Sequence, residues 1–288
     1  MRGSRTLRDL MDFLHFHKPD LVFLLETKMT SCQMGNLKSS VGMEGILCVP
    51  RDEEGGGFSG GLCLMWRRNI SVSFLSSSFF YIDTMVTWED GYVCRVTGFY
   101  GEPVATRRHL SWHLLRQLAS EREGPWLCCG DCNEILVIHE KTGDAIRPQR
   151  LIDNFRSALH DCGLYDFDFT GYQFTWDNRR IGTANVKERI DRGFGNLELI
   201  QKWGGFLCHH LVTMASDHCP ILIENVAPMS EGGGVGRRPR RFIFEEMWSK
   251  EEECGQIINQ TWRRGGHLDI RFMLGPLGVW AEICWYQI

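Results

Sequence analysis

No stretch of this 288-residue chain is long and apolar enough to span a bilayer. The run Leu21–Leu25 falls far short of the roughly 20 apolar residues that a spanning helix needs. The opening MRGSRTLRDLMDFLHFHKPD is charged and lacks the apolar centre of a secretory leader. Both absences point to an intracellular protein in a reducing compartment, with no membrane partner. A basic excess is missing too. Lys and Arg number 32 against 36 Asp and Glu, a net charge of −4, which excludes a uniformly basic nucleic-acid glove and leaves room only for a local patch. No internal repeat of 20–50 residues is visible. The 43% hydrophobic and 24% charged fractions exclude a disordered chain, a collagen and a membrane bundle. Ten Trp and seventeen Phe can fill a sizeable core, and the length allows one large domain or two small ones.

Cysteine is plentiful, but a cysteine framework is lacking. The twelve cysteines scatter without disulfide spacing, so they read as free, mostly buried thiols. Cys129-Gly130-Asp131-Cys132 is formally a C-x-x-C, yet a structural zinc site wants a second such pair, and Cys208-His209-His210 and His218-Cys219 have no knuckle spacing.

Apolar periodicity organises the rest. Leu7, Leu10, Met11 and Leu14 predict a helix over 5–17, ended by Lys18-Pro19. Leu21–Leu25 reads as a fully buried strand. Strands follow at 45–50, 61–66, 72–74, 81–88 and 93–100, then a helix over 107–122. A short buried strand at Trp126–Cys129 precedes a helix over 150–162, a short helix over 197–203, and strands at 207–215 and 221–226. Strands in runs with helices between the runs favour two packed sheets with helices outside. The segment 227–241 is rich in Gly, Pro and Arg and reads as a linker. Beyond it, Met247, Trp248, Cys254, Ile258 and Trp262 sketch one amphipathic helix, and 273–288 is apolar without a period, so 242–288 reads as a helical tail.

Carboxylates recur where buried strands end: Glu26 after Leu25, Asp131 after Cys129, Asp191 after Ile190, and Asp217-His218 before Cys219-Pro220-Ile221. Each alone is an ordinary turn former. Together they form a set. Leu24-Leu25-Glu26-Thr27-Lys28, Gly98-Phe99-Tyr100-Gly101, Gly130-Asp131-Cys132-Asn133-Glu134, Phe174-Thr175-Trp176-Asp177-Asn178, Arg189-Ile190-Asp191-Arg192 and Ser216-Asp217-His218-Cys219-Pro220 stand in the order found in the endonuclease/exonuclease/phosphatase family. Residues 1–226 thus resemble a deoxyribonuclease I-like domain. The stretches PDLVFLLETK, GYQFTWDNRR, VKERIDRGFGN and RRFIFEEMW look most like the endonuclease of plant LINE-type retrotransposons.

The resemblance implies an α+β fold, a four-layer sandwich of two mainly antiparallel sheets flanked by helices. It implies phosphodiester hydrolysis with Mg²⁺ (or Mn²⁺), held by Glu26 and Asp217. His218 would take the proton of the attacking water and Asp191 would hold its ring. Asp131 would orient that water or protonate the leaving group. Asn133 and Tyr100 would donate to the phosphate oxygens, and Thr175, Trp176 and Arg179 would meet the substrate, DNA. The chemistry suits the residue types, because a hard cation takes carboxylates and a neutral imidazole is the usual proton acceptor near pH 7. Relatives open with a strand that ends in an Asn near the metal. This chain is expected to begin just after it, which leaves an unpaired sheet edge and removes a polar group of a kind worth about 10²–10³ in rate elsewhere. Two other readings follow: an inactive remnant that binds nucleic acid weakly through Arg237–Arg241, and a phosphomonoesterase of the same fold. The parent element would add a reverse transcriptase, absent from this sequence, and a nuclear place of action.

Overall fold

A computed structural model describes residues 2–49, 61–211, 216–226 and the backbone of 282–287. Residues 1–226 and 279–288 make one compact unit and 227–278 another. The expected linker and most of the expected helical tail lie outside the described residues.

Among the described residues, a six-stranded sheet runs in the order β4 (Ile70–Ser78), β5 (Tyr81–Trp88), β6 (Val93–Tyr100), β7 (Trp126–Asp131), β13 (Asp191–Asn196) and β9 (Leu164–Asp166). A seven-stranded sheet runs β10 (Asp168–Gly171), β14 (Gly205–His210), β15 (Ile221–Val226), β16 (Glu282–Gln287), β1 (Leu21–Leu25), β3 (Leu62–Trp66) and β2 (Gly45–Val49). Helices α1 (Arg2–His17) and α2 (Ser31–Ser40) accompany the second sheet, and α3 (His109–Glu121) and α4 (Gln149–Asp161) the first.

Alternation along the strands builds four layers. In β1 every residue is buried. Leu21, Phe23 and Leu25 enter the core shared by the two sheets. Val22 and Leu24 face the other way, onto Leu10 and Leu14 of α1 and Met34 and Leu37 of α2. In β7 the same parity sends Leu127 and Cys129 to the shared core and Trp126 and Cys128 to Trp112 and Leu115 of α3 and Phe155 of α4. A strand covered on both faces shows a continuous apolar run, which is why LVFLL and WLCC looked alike in sequence. The architecture is the expected sandwich. Each fully buried Leu or Phe contributes about 1.5–3 kcal/mol through area removed from water, so this core is ample.

Two glycines let the sheets approach. A Cβ on Gly98 of β6 would fall 2.3 Å from the Phe23 ring, and one on Gly193 of β13 would fall 2.6 Å from Cδ1 of Ile223.

Several expectations are corrected. Helix α2 carries too few apolar residues for a clear period, and what starts it is a capping box: Gln33 N–H donates to Thr30 Oγ1 and the Thr30 N–H to Gln33 Oε1. The helix expected from 107 begins at His109, because Arg108 turns inward to Glu134 at 2.8 Å. A small sheet of β11 (Trp176–Asp177), β12 (Lys187–Glu188) and β8 (Lys141–Thr142) was not foreseen; strands of two residues leave no period to read. Most consequential, 282–287 is a strand and not part of a helix. It lies between β1 and β15, so the expected unpaired edge is filled.

Candidate active site

The site lies where strand ends of both sheets meet. From the six-stranded sheet, three neighbouring strands bring their residues into one row, with Tyr100 of β6 in register with Asp131 of β7, and Asp131 with Asp191 of β13. From the other sheet, β1 ends in Glu26, and β15 is entered through Asp217 and His218. These residues line one cleft of about 520 Å³ together with Asn133, Trp176, Lys28, Arg108 and Glu188; Asp191 sits beneath it, fully buried.

His218 and Asp191 form the central pair. His218 Nδ1 lies 3.0 and 3.1 Å from the two Asp191 oxygens. Burial pulls the imidazole towards neutrality, but the charges of Asp191, Asp131 and Asp217 overcome it and hold the pKa up at about 9. Asp191 is held from behind. Thr175 Oγ1 accepts from the backbone N–H groups of Ile190 and Asp191, both at 3.0 Å. Thr175 is itself fully buried, and its hydroxyl anchors the backbone that carries Asp191.

Asp131 is also buried. Burial first, and the Asp191 charge next, push its carboxyl up to about 8, although His218 and the Asn133 N–H oppose them. Asn133 donates its backbone N–H to Asp131 Oδ1 at 2.7 Å, and its side-chain N–H groups to Asp131 Oδ2 at 3.1 Å and to the Gly101 carbonyl at 2.9 Å. Both amide hydrogens are committed within the protein. In this arrangement Asn133 orients Asp131. Tyr100 likewise donates to Glu26 Oε1 at 2.9 Å and holds that carboxylate. Trp176 does both things open to it: its ring packs on Ile135, Ile152 and Ile190, and its Nε1 donates to Asp217 Oδ2 at 3.3 Å. The Arg179 guanidinium bonds the Ser216 carbonyl and ties its loop to that of Asp217, whereas Arg180 lines an adjoining groove shared with Trp176 and Asp217.

A buried ion network supports the six-stranded side. Arg189 pairs with Glu140 at 2.9 Å and with Asp166 at 2.8 Å, and Arg192 pairs with the same two carboxylates. Burial pushes the Glu140 carboxyl up, but Arg192 and Arg189 more than reverse this and hold it below its ordinary value. The arginines flanking Asp191 are thus structural partners.

Backbone conformation marks the same rim. Among the described residues, five non-glycine residues have positive φ, and four of them, Glu26, Lys28, Asn133 and Arg179, sit around the cleft. Left-handed backbone at such residues costs of order 1–3 kcal/mol each and persists only where the surroundings enforce it.

Glu26, Asp131 and Asp217 line one cleft, with Asp191 buried beneath it, and burial first and the Asp191 charge next raise the Asp131 carboxyl. The donors are hard oxygens, which suit Mg²⁺ or Mn²⁺, so the residues fit. Among the described residues, Asp131, Asp191 and His218 form a group of ligand-type side chains with atoms within 4.8 Å of one another. His218 Nδ1 is engaged by Asp191, and Glu26 and Asp217 line the open cleft beside that group. Among the described residues no cysteine joins that group; Cys129 is a buried thiol raised to about 12 by burial.

Comparison with known proteins meets this geometry. The sequence profile of the Endonuclease/Exonuclease/phosphatase family matches residues 1–218. The chain belongs to that family. Its members are nucleases and phosphatases that hydrolyse phosphoester bonds. The fold is similar to the catalytic domain of APE2 from Xenopus laevis (TM-score 0.54, 18% identity, 76% of this chain and 88% of that one). It is similar also to NExo, a 3' phosphatase from Neisseria bound to product DNA hairpin (TM-score 0.53, 16% identity, 75% and 92%). The endonuclease domain of TRAS1, a telomere-specific non-LTR retrotransposon, is a weaker structural match (TM-score 0.49, 15% identity, 72% and 98%). No curated protein matches the sequence significantly.

Sequence reading missed Lys28 and Arg108 as cleft residues. Lys28 stood in a quoted motif, and its exposed ammonium lies 3.4 Å from Glu26. Arg108 gave no signal beyond its place at a helix start. Among the described residues no helix is long and apolar enough to cross a membrane.

Proposed function

We propose that this protein is a divalent-cation-dependent phosphodiesterase that nicks one strand of DNA. The observation that carries the reading is the His218–Asp191 pair at 3.0 Å, set in one cleft with Glu26, Asp131 and Asp217. A base, an acid and a cation-binding pair are what hydrolysis of an anionic ester needs.

Each residue has a definite task. Glu26 and Asp217 would hold Mg²⁺, which when bound neutralises charge that develops on the phosphate and the leaving oxygen. With Nδ1 engaged by Asp191, His218 exchanges protons at Nε2; held at a pKa of about 9, it is imidazolium near pH 7 in the cation-free site, so it takes a proton from water only in the neutral fraction, which a bound cation or a higher pH would enlarge. Asp131, with a carboxyl raised to about 8, is protonated near pH 7 in the cation-free site and supplies a proton to the leaving oxygen. Tyr100 and Asn133 keep Glu26 and Asp131 in place. Lys28 at the rim and Arg180 in the adjoining groove are the cations that contact the DNA backbone, and such contacts set position without reading sequence.

An inactive remnant was suggested by a missing first strand; the pairing of β16 with β1 and β15 supports the active reading, since neither strand is left open on that side. The finer assignment, a nuclease from a LINE-type element that once worked beside a reverse transcriptase in the nucleus, rests on the sequence motifs. The test is nicking of supercoiled plasmid by the full chain in Mg²⁺, with EDTA and His218→Ala controls. Metal-dependent nicking lost in His218→Ala supports the reading. Release of inorganic phosphate from a 3' phosphate without nicking would move the protein to the phosphomonoesterases. Neither activity from a folded protein would refute both.

A further inference from the structure

Away from the cleft, two free thiols stand directly opposite each other at the edge of the seven-stranded sheet. Cys48 of β2 and Cys63 of β3 are register partners in an antiparallel ladder. Facing residues of such a ladder have Cα atoms about 4.5–5.5 Å apart, inside the range of roughly 4.4–6.8 Å that a disulfide spans. Their side chains meet on one face of the sheet and share a hydrogen bond, Sγ to Sγ, of 3.0 Å. A bond between the sulfurs asks them to approach by about 1 Å and leaves the strand register as it is.

The two thiols differ in a way that suits stepwise oxidation. β2 is the last strand of its sheet, and Cys48 is exposed. Cys63 lies one strand further in, buried with Val22, Leu24 and Met65 in the helix-side core. The Cys63 S–H can donate to a Cys48 thiolate. This contact holds Cys48 below its ordinary pKa, although partial burial opposes it. Burial first, and the same contact next, hold Cys63 well above its own. The thiolate is the nucleophile, and access decides which thiol meets an oxidant. The C-x-x-C segment lacks both properties, because Cys129 and Cys132 are buried and burial raises each.

We propose that Cys48 and Cys63 are a redox-sensitive pair that reduces a hydroperoxide and closes an intrachain disulfide between β2 and β3. The Cys48 thiolate attacks the peroxide and the O–O bond breaks. Cys48 becomes a sulfenic acid, and the departing oxygen takes up the proton that Cys48 released. Cys63 then loses its proton and attacks the Cys48 sulfur; the S–O bond breaks, and the hydroxyl leaves with that proton as water. Two thiols give up two electrons and two protons, and the peroxide receives them. A dithiol reductant reverses the change by thiol–disulfide exchange. The bond would pin the edge strand and close the chain between 48 and 63 into a loop, which stabilises mainly by restricting the unfolded state.

The experiment exposes the reduced full chain to hydrogen peroxide, blocks free thiols with iodoacetamide, and cuts with trypsin without reductant for mass spectrometry. Cleavage after Lys38, Arg51 and Arg67 puts Cys48 and Cys63 on separate peptides, 39–51 and 52–67, so only a disulfide keeps them together. That linked pair should be the first disulfide to form, should separate with dithiothreitol, and should raise the urea midpoint of unfolding. In Cys63→Ser, Cys48 should stop at the sulfenic acid and react with dimedone, with no gain in stability. In Cys48→Ser, Cys63 should stay a thiol at the same dose. A first linkage between other cysteines, an alkylated Cys48 after peroxide, or equal urea midpoints of the oxidised and reduced parent would overturn the proposal. None of these readouts uses hydrolysis, so failure of the proposed function would leave the thiol pair standing.

Discussion

The two sheets contribute to the cleft in different ways. The six-stranded sheet offers Tyr100, Asp131 and Asp191 from adjacent strands in register, backed by the Glu140, Asp166, Arg189 and Arg192 network. The seven-stranded sheet offers Glu26, Asp217 and His218 from the segments that flank its strands, with β16 between them. One half is fixed by its own ladder. The other is assembled from segments far apart in the chain. Beyond the shared apolar core, hydrogen bonds that cross between the two halves include His218 to Asp191 and Tyr100 to Glu26. Precision in such a site comes from the first half, and dependence on the whole chain from the second.

The largest effect should come from breaking the main crossing. His218→Ala should lower nicking by about 10²–10⁴-fold, the worth of a positioned general base, and Asp191→Asn should do comparable damage. If the two act as a unit, the double variant will be no slower than the worse single one. Multiplied losses in plasmid nicking would mean that they work independently and that the pairing of the halves has been misjudged.

Next comes the rigidity of the six-stranded half. Arg192→Ala strands Glu140 and Asp166 beside one guanidinium, and removal of a partner from a buried ion pair costs about 3–5 kcal/mol. Urea unfolding should show a loss of that size. A loss under about 1 kcal/mol would mean that the network is ornamental to the fold.

The seven-stranded half should be the acid-sensitive one through His210 of β14. Its Nδ1 bonds the Tyr172 carbonyl at 2.7 Å, and burial pulls its pKa from 6.5 to about 3. Between those values the unfolded chain binds a proton that the folded chain refuses. The stabilisation is complete above pH 6.5 and is lost as pH falls towards 3. His210→Phe, which keeps a ring against Phe169, should flatten the acid limb of a melting-temperature profile. An unchanged limb would show that other groups control it.

The smallest effect should come from the lesser crossing. Tyr100→Phe removes the donor to Glu26 and should weaken Mn²⁺ binding by about tenfold, the lower bound for an outer-shell partner, with stability nearly unchanged. A melting temperature that falls while Mn²⁺ affinity holds would make Tyr100 a packing residue.

Much of this molecule was legible in its sequence. The buried strands β1 and β7 announced themselves as apolar runs ending in carboxylates, and Leu10 and Leu14 fixed the buried side of α1. The residues of the cleft were recovered from six motifs in order. Roles were less legible than positions. Nothing in the letters Thr175 or Asn133 tells whether the hydroxyl or amide faces substrate or a neighbouring carboxylate; that depends on backbone from other strands reaching it first. β16 was invisible for a different reason. Its apolar letters sit within the longer apolar stretch 273–288, so no bounded run marks a strand there, and its parallel partner β1 lies at the other end of the chain. Arg108 was hidden because an arginine before a helix is ordinary until its buried partner Glu134 is known.

Gly98 and Gly193 carry no chemistry, yet they act as the gauge of the catalytic centre. With Phe23 and Ile223 seated where their side chains would be, they determine how far apart the two sheets stand, and so whether a histidine anchored to one can meet an aspartate anchored to the other. A methyl group at either place would widen the interval while leaving every reactive residue intact. Loss of activity in a descendant of this protein could thus be written in positions that a search for catalytic residues would pass over, and an engineer who wished to retune the site's spacing would begin there.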